Sequence, residues 1–162
     1  MEHDQYTLPT SLITQGDISR TLRELTNIDE FIKQAQLRQT AATVERLPKT
    51  SKGLNDFATL NHLNLLKESD RVQSLNFLTN LTKNAPVVHI SFATDPSVSF
   101  MIKIIAWFRD NINQLIVLDI GLEPAIAAGC TIRTDNRFHD FSLRHHFDDQ
   151  RSFLLSKLRE SG

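Results

Sequence analysis

Hydrophobic residues recur with two different periods along this chain, and the change falls at Asn84-Ala85-Pro86. Before it the spacing is three to four, as on one face of a helix. Ile28, Phe31, Ile32 and Ala35 form one such stripe, and Asn27 with Glu30 three places on reads as a capping box, predicting a helix from about Ile28 to Arg46. Leu47-Pro48 closes it, because proline disfavours helical backbone in the residue before it. A shorter helix from Ile18 to Leu25 is opened by Gly16-Asp17. A further one carries Leu54, Phe57, Leu60 or Asn61, and Leu65 along one side. Ser69-Asp70 caps the next, whose Val72, Leu75, Leu78 and Leu81 are read as a single stripe. Residues 1–84 thus read as a small helical bundle.

After Pro86 the period becomes two, with Val88, Ile90 and Phe92 alternating against Val87, His89 and Ser91 as in a half-buried strand. Asp95-Pro96-Ser97 starts a helix in which Val98, Met101, Ile104, Ile105, Phe108 and Ile112 make a wide apolar face. Phe100 and Trp107 extend that face nearly round the cylinder, which predicts a helix mostly covered, either by the bundle or by a partner protein. A second strand carries Ile116, Leu118, Ile120 and Leu122, and a third, after Glu123-Pro124, carries Ala128, Cys130 and Ile132. Asp135-Asn136 is a two-residue hairpin turn, since both residues tolerate positive φ, and a short strand at Phe138 to Phe141 follows. The last element is a helix from about Leu143 to Leu158, with Phe147, Leu154, Leu155 and Leu158 inward. Residues 85–162 therefore read as a βαββ(β)α sheet-plus-helix domain, and the fold class is α+β.

Composition narrows the function. With 162 residues, 40% hydrophobic and 23% charged, and with five Gly and five Pro, the chain has the make-up of a folded domain and neither a disordered nor a fibrous one. Eighteen Lys and Arg against nineteen Asp and Glu leave a formal net charge of -1, so no overall field favours nucleic acid or an anionic bilayer. The basic residues Arg133, Arg137, Arg144, Arg151, Lys157 and Arg159 interleave with acids, as on a solvated face. The single Cys130 excludes an internal disulfide and suits a reducing cytosol. The opening MEHDQY leads into no apolar leader, and the apolar run from Ile102 to Phe108 is broken by Lys103 and ended by Arg109, so neither secretion nor membrane insertion is expected.

Catalytic signatures are sparse. His145 and Asp149 stand four apart on one helical face, as two metal ligands would, but two ligands do not make a site. His89 and Asp119 lie on neighbouring predicted strands and can meet across the sheet as a dyad without a nucleophile. Cys130 alternates with Ala128 and Ile132, which reads as an inward, small apolar filler. Neither a GxSxG elbow nor a glycine-rich phosphate loop occurs.

One stretch is more specific. In Leu118 to Arg144, LDIGLEPAIAAGCTIRTDNRFHDFSLR, the residues Leu118, Leu122, Glu123, Ile126, Ala128, Gly129, Ile132, Arg133, Asp140, Ser142, Leu143 and Arg144 fall in a distinctive order. The pattern is alternating aliphatics, an acid, an aliphatic three places on, a small residue before glycine, an aliphatic-basic pair, a turn, and D-x-S-[LIV]-[RK] entering the last helix. It resembles the C-terminal motif of the δ subunit of F-type ATP synthase, the family that includes the mitochondrial oligomycin-sensitivity-conferring protein. Departures are Cys130, where an aliphatic residue or glycine is usual, Asp135 at the turn glycine, and Phe141 between the Asp and the Ser. The family's opening Tyr-Ala-rich helix is missing, and residues 1–84 are shorter than its six-helix bundle.

The resemblance implies a non-catalytic stator subunit, with no catalytic residue, cofactor or metal. One copy would sit in the complex, cytoplasmic and peripheral to the inner face of the membrane. Its helical domain would grip the α subunits of the catalytic head and its C-terminal domain the b-subunit stalk. Apolar stripes suit such helix-in-groove contacts, and Phe100, Trp107, Ile28, Phe31 and Leu75 are the candidate partner surface. The motif positions are expected to shape the domain: Gly129 through its backbone, and Asp140 or Ser142 as the cap of the last helix. Two other readings remain. One is an adaptor using the same domain for a different helical partner. The other is a small metal-dependent hydrolase built on His139, His145, His146 and Asp149.

Overall fold

The structure is a computed structural model that describes residues 6–37, 48–134, 136–143, 151 and 156. The chain divides into two compact units. The first comprises Met1–Pro86 with Met101–Val117, and the second comprises Val87–Phe100 with the chain from Leu118 onward. The architecture is α+β, a helical region followed by a four-stranded sheet with its helix.

Helix α1 spans Gln15–Leu37 without a break. It begins in a reciprocal cap in which Thr14 Oγ1 accepts from the Asp17 amide at 3.2 Å while Asp17 Oδ2 accepts from the Thr14 amide at 3.0 Å. The expected start at Asn27 is therefore corrected: Asn27 is an exposed mid-helix residue. Its neighbours Ile18, Thr21, Leu25, Ile28 and Ile32 are buried at steps of three and four that run through the supposed boundary. Residues 38–46 of the predicted helix lie outside the described residues.

Helix α2, Lys52–Leu60, is capped by Ser51, whose Oγ accepts from the Leu54 amide at 3.3 Å. Leu54 and Phe57 are fully buried, whereas Leu60 is exposed and Leu65 lies beyond the helix. Helix α3, Glu68–Asn84, begins after Lys67 and not at a Ser69-Asp70 cap. Its buried face is Arg71, Ser74, Leu78 and Leu81, and Val72 is 41% exposed. A stripe at constant steps of three cannot hold: from Val72 to Leu81 the helix turns through about 900°, leaving the two residues on opposite sides.

The first unit also contains Arg109, only 7% exposed. Its Nε donates to the Ile116 carbonyl at 3.1 Å, and its terminal nitrogens donate to the carbonyls of Leu8, Pro9 and Leu12. Burial pushes the guanidinium down to about 10, so it stays charged at neutral pH while backbone oxygens replace its water shell. The residues from Met101 to Val117 thus belong with the helices, although the sequence period places them after Pro86.

The strands are β1 (Val87–Phe92), β2 (Val117–Leu122), β3 (Gly129–Thr134) and β4 (Arg137–Ser142), in the order β2-β1-β3-β4, and all but Val117 belong to the second unit. Amides of Val117 and Glu123 donate to carbonyls of Pro86 and Phe92, a constant offset that makes β2 parallel to β1. The β1–β3 and β3–β4 pairs are antiparallel, and Thr134 opposite Arg137 closes the predicted two-residue turn. Val88, Ile90 and Phe92 are buried as the alternation required, but Leu122 is 58% exposed, because the strand's buried run is Val117 and Leu118.

Helix α4, Val98–Asn111, lies between β1 and β2 in sequence and starts where Ser97 Oγ accepts from the Phe100 amide at 3.3 Å. The expectation of a mostly covered helix is corrected: only Ile105, Phe108 and Arg109 are buried, and Val98, Phe100, Ile102, Trp107 and Ile112 are exposed. Arg151 and Ser156 are helical, within the predicted last helix, whose inward residues Phe147, Leu154, Leu155 and Leu158 lie outside the described residues.

Candidate functional site

The hairpin and the parallel strand together build a side-chain row across the outer face of the sheet. Asp119 on β2 and His89 on β1 meet at 2.7 Å, Oδ2 to Nδ1. Across the ladder His89 faces Arg133 on β3, and Arg133 faces Phe138 on β4. All four side chains of this row are exposed. The second row is smaller: Gly121, Ser91 and Thr131, with Ser91 opposite Thr131 and a Cβ on Gly121 lying 3.3 Å from Ser91 Oγ. His89, Arg133 and Phe138 of the first row, Ser91 and Thr131 of the second, and Glu123 and Thr134 border an open groove of about 610 Å³. The His89–Asp119 contact is the dyad anticipated above. The alignment of Arg133 and Phe138 with it was missed, although a two-residue turn at 135–136 already dictates that 133 opposes 138.

The motif residues separate into those that shape the backbone and those that do not. Leu118 is 1% exposed and belongs to the core, Ser142 is buried, and Ile132 is half-buried opposite Ile90. Gly129 has φ +89°, and a Cβ there would collide with the Phe141 carbonyl oxygen. Both of the reasons for glycine therefore operate at one residue. Ala128 and Gly129 also bind the sheet's corner, their carbonyls accepting from the Leu143 and Ala93 amides at 2.8 and 3.3 Å. Asp140 Oδ1 accepts from the Ser142 amide at 2.8 Å, a local turn contact at the strand end. Arg144 lies outside the described residues. Glu123 and Arg133 are exposed and line the groove.

The candidate partner residues are scattered in exposure. Trp107, in the first unit, is 57% exposed with its ring edge-on to Phe108. Phe100, in the second, is 48% exposed and edge-on to Phe92. Phe31 and Leu75 are half-buried. Ile28 is corrected: at 1% exposure it is bundle core and offers no partner surface, because the α1 stripe that carries it faces inward.

Metal and nucleophile readings find little. His145, His146 and Asp149 lie outside the described residues, and His139 stacks on Phe141 with ring centroids 6.1 Å apart. Among the described residues no cluster of three or more His, Cys, Asp or Glu could hold a metal ion. Cys130 is half-buried opposite Phe92 and Phe141, and burial with the nearby Asp140 charge pushes its thiol up, away from the nucleophilic thiolate. Among the described residues no helix is long and apolar enough to cross a membrane.

Sequence reasoning also missed the bundle's buried ion pair. Arg71 Nε donates to Asp29 Oδ1 at 2.8 Å, and Lys33 holds the other carboxylate oxygen at 2.7 Å. The signal was present, because both residues stand at core positions of their helices, but a polar residue on an apolar stripe has no partner legible in one dimension. No family model matches the chain, and no curated protein matches it.

Proposed function

We propose that this chain is a peripheral-stalk subunit of an F-type ATP synthase, a non-catalytic stator that links the α subunits of the catalytic head to the b-subunit stalk. What carries the reading is Gly129. Its positive φ, and the Phe141 carbonyl oxygen standing where a Cβ would lie, give the motif's glycine a physical cause. The strand-helix-strand-hairpin order of Val87 to Ser142 suits the same resemblance. So does a separate helical unit, since a stator needs two surfaces for two partners and no turnover residues. On this reading the protein is cytoplasmic, held at the inner face of the membrane through the complex, and exposed Trp107 and Phe100 are contact residues for partner helices.

The test is an affinity pull-down of the tagged chain from detergent-solubilised membranes of its source cell. Stoichiometric α, β and b subunits are the expected result. Their absence, with another helical protein recovered in their place, would replace the stator reading by that of an adaptor built on the same domain.

A further inference from the structure

Ala127 is held in a conformation that a residue with a Cβ resists. It has φ 64° and ψ −53°, and the Ala128 amide donates to the Ile126 carbonyl, two residues back, at 2.8 Å. Dihedrals and hydrogen bond together define a γ-turn of the strained hand, with positive φ at its centre. Among the described residues the only other non-glycine with positive φ is His62. Burial of the Ala127 side chain does not offset the strain, because that residue is exposed. The cause lies on either side of it. Ile126 is 6% exposed and anchors the 3₁₀ turn Pro124–Ile126 in the core. Gly129, at φ 89°, opens β3 with the Phe141 carbonyl oxygen where a Cβ would lie. Only Ala127 and Ala128 connect these two fixed points, so the chain is forced through a three-residue turn.

The same corner holds the end of β4. The Ala128 carbonyl accepts from the Leu143 amide at 2.8 Å, and the Gly129 carbonyl accepts from the Ala93 amide at 3.3 Å. Strained backbone persists only where its surroundings over-determine it, and here they are these two bonds and the buried Ile126. We infer that Ala127 is the strained residue of a hinge in the second unit, closed while Leu143 is bonded to Ala128 and relaxed when the end of β4 parts from the corner. The closed state stores the strain of the γ-turn and the open state releases it. Opening at this corner therefore needs less free energy than opening the β1–β3 ladder, whose residues from His89 to Phe92 have no positive φ. The hinge is independent of the stator reading, since it follows from the backbone of the second unit alone.

The experiment is residue-resolved amide hydrogen exchange on the full chain and on two variants. Ala127→Gly removes only an exposed methyl group and makes the dihedrals ordinary for the residue that carries them. Its Ala128 and Leu143 amides exchange about three- to tenfold more slowly than in wild type, because opening no longer releases strain. Ala125→Gly is the control. Ala125 is also exposed, but its φ is not positive, so glycine there only adds freedom to the open chain, and both amides exchange faster. The melting midpoint follows the same signs, up for Ala127→Gly and down for Ala125→Gly. Exchange in Ala127→Gly that is unchanged or faster, as in the control, overturns the stored strain. Slower exchange at Ala128 with Leu143 unchanged overturns the coupling of the turn to the end of β4.

Discussion

Arg71 on α3 and Asp29 on α1 form a buried ion pair, 2.8 Å between Nε and Oδ1, with the arginine 1% and the aspartate 5% exposed. The guanidinium also donates to the Leu65 and Leu66 carbonyls at 3.2 and 2.9 Å, so it fastens the loop before α3 as well as the two helices. Breaking such a pair strands a buried charge. Asp29→Ala should cost about 3–5 kcal/mol by urea unfolding, whereas the double variant Asp29→Leu/Arg71→Met should lie within about 1–2 kcal/mol of wild type. A single variant as mild as the double one would show that the pair is hydrated in solution.

The same carboxylate makes stability depend on acid. Burial alone raises the Asp29 carboxyl, but hydrogen bonds and charges from Lys33 and Arg71 outweigh it and hold the group below its ordinary value. A depressed carboxylate contributes stability that is present above the unfolded pKa and is lost as pH falls through the folded one. The urea midpoint should therefore be flat near neutrality and fall below about pH 4. Asp29→Asn should flatten that limb while lowering the plateau. An unchanged acid limb in the variant would assign the loss to other carboxylates.

Arg109 donates to four backbone carbonyls, and three of them, those of Leu8, Pro9 and Leu12, anchor the Leu8–Leu12 segment. Arg109→Met removes every one of these donors at once. The expected loss is about 3 kcal/mol or more, since four carbonyls lose a charged donor and only that of Pro9 keeps a backbone one, the Leu12 amide at 3.0 Å. Hydrogen exchange should report early opening of residues 8–12 in the variant. Arg109→Lys, with one ammonium for four acceptors, should recover only part of the loss.

At Gly129 positive φ and a backbone oxygen in the place of a Cβ coincide. Gly129→Ala should destabilise the second unit by about 1–3 kcal/mol from backbone strain alone, and Gly129→Leu by more. Binding to a stalk partner should weaken only as far as the fold does. Unchanged melting with abolished binding would make Gly129 a contact residue instead.

Trp107 is the chain's single tryptophan and is 57% exposed. Its fluorescence should be red-shifted and readily quenched by acrylamide in the isolated protein. If the proposed stator reading holds, adding α-subunit N-terminal helices should shift the emission to the blue and reduce quenching, as an exposed aromatic becomes a buried anchor. Emission that ignores every partner subunit would remove Trp107 from the contact surface.

The α+β class, the alternation of β1, the two-residue turn and the special nature of Gly129 were legible in one dimension. Each rests on a local rule: side-chain period, turn chemistry, or the backbone freedom of a residue without Cβ. What neighbours in sequence dictate, the sequence by itself determined. The single long α1, the inward placement of Arg71, the exposure of Leu122 and Trp107, and the capture of Arg109 by Leu8, Pro9 and Leu12 are of another kind. Arg71 and Asp29 are 42 positions apart, and Arg109 and Leu12 are 97. A charged residue on an apolar stripe looks like an interruption until a distant partner satisfies it, and an apolar residue looks buried until the packing leaves it uncovered. The tertiary structure alone decided these, because desolvation is set by which distant surfaces meet, and the local pattern carries no record of that meeting.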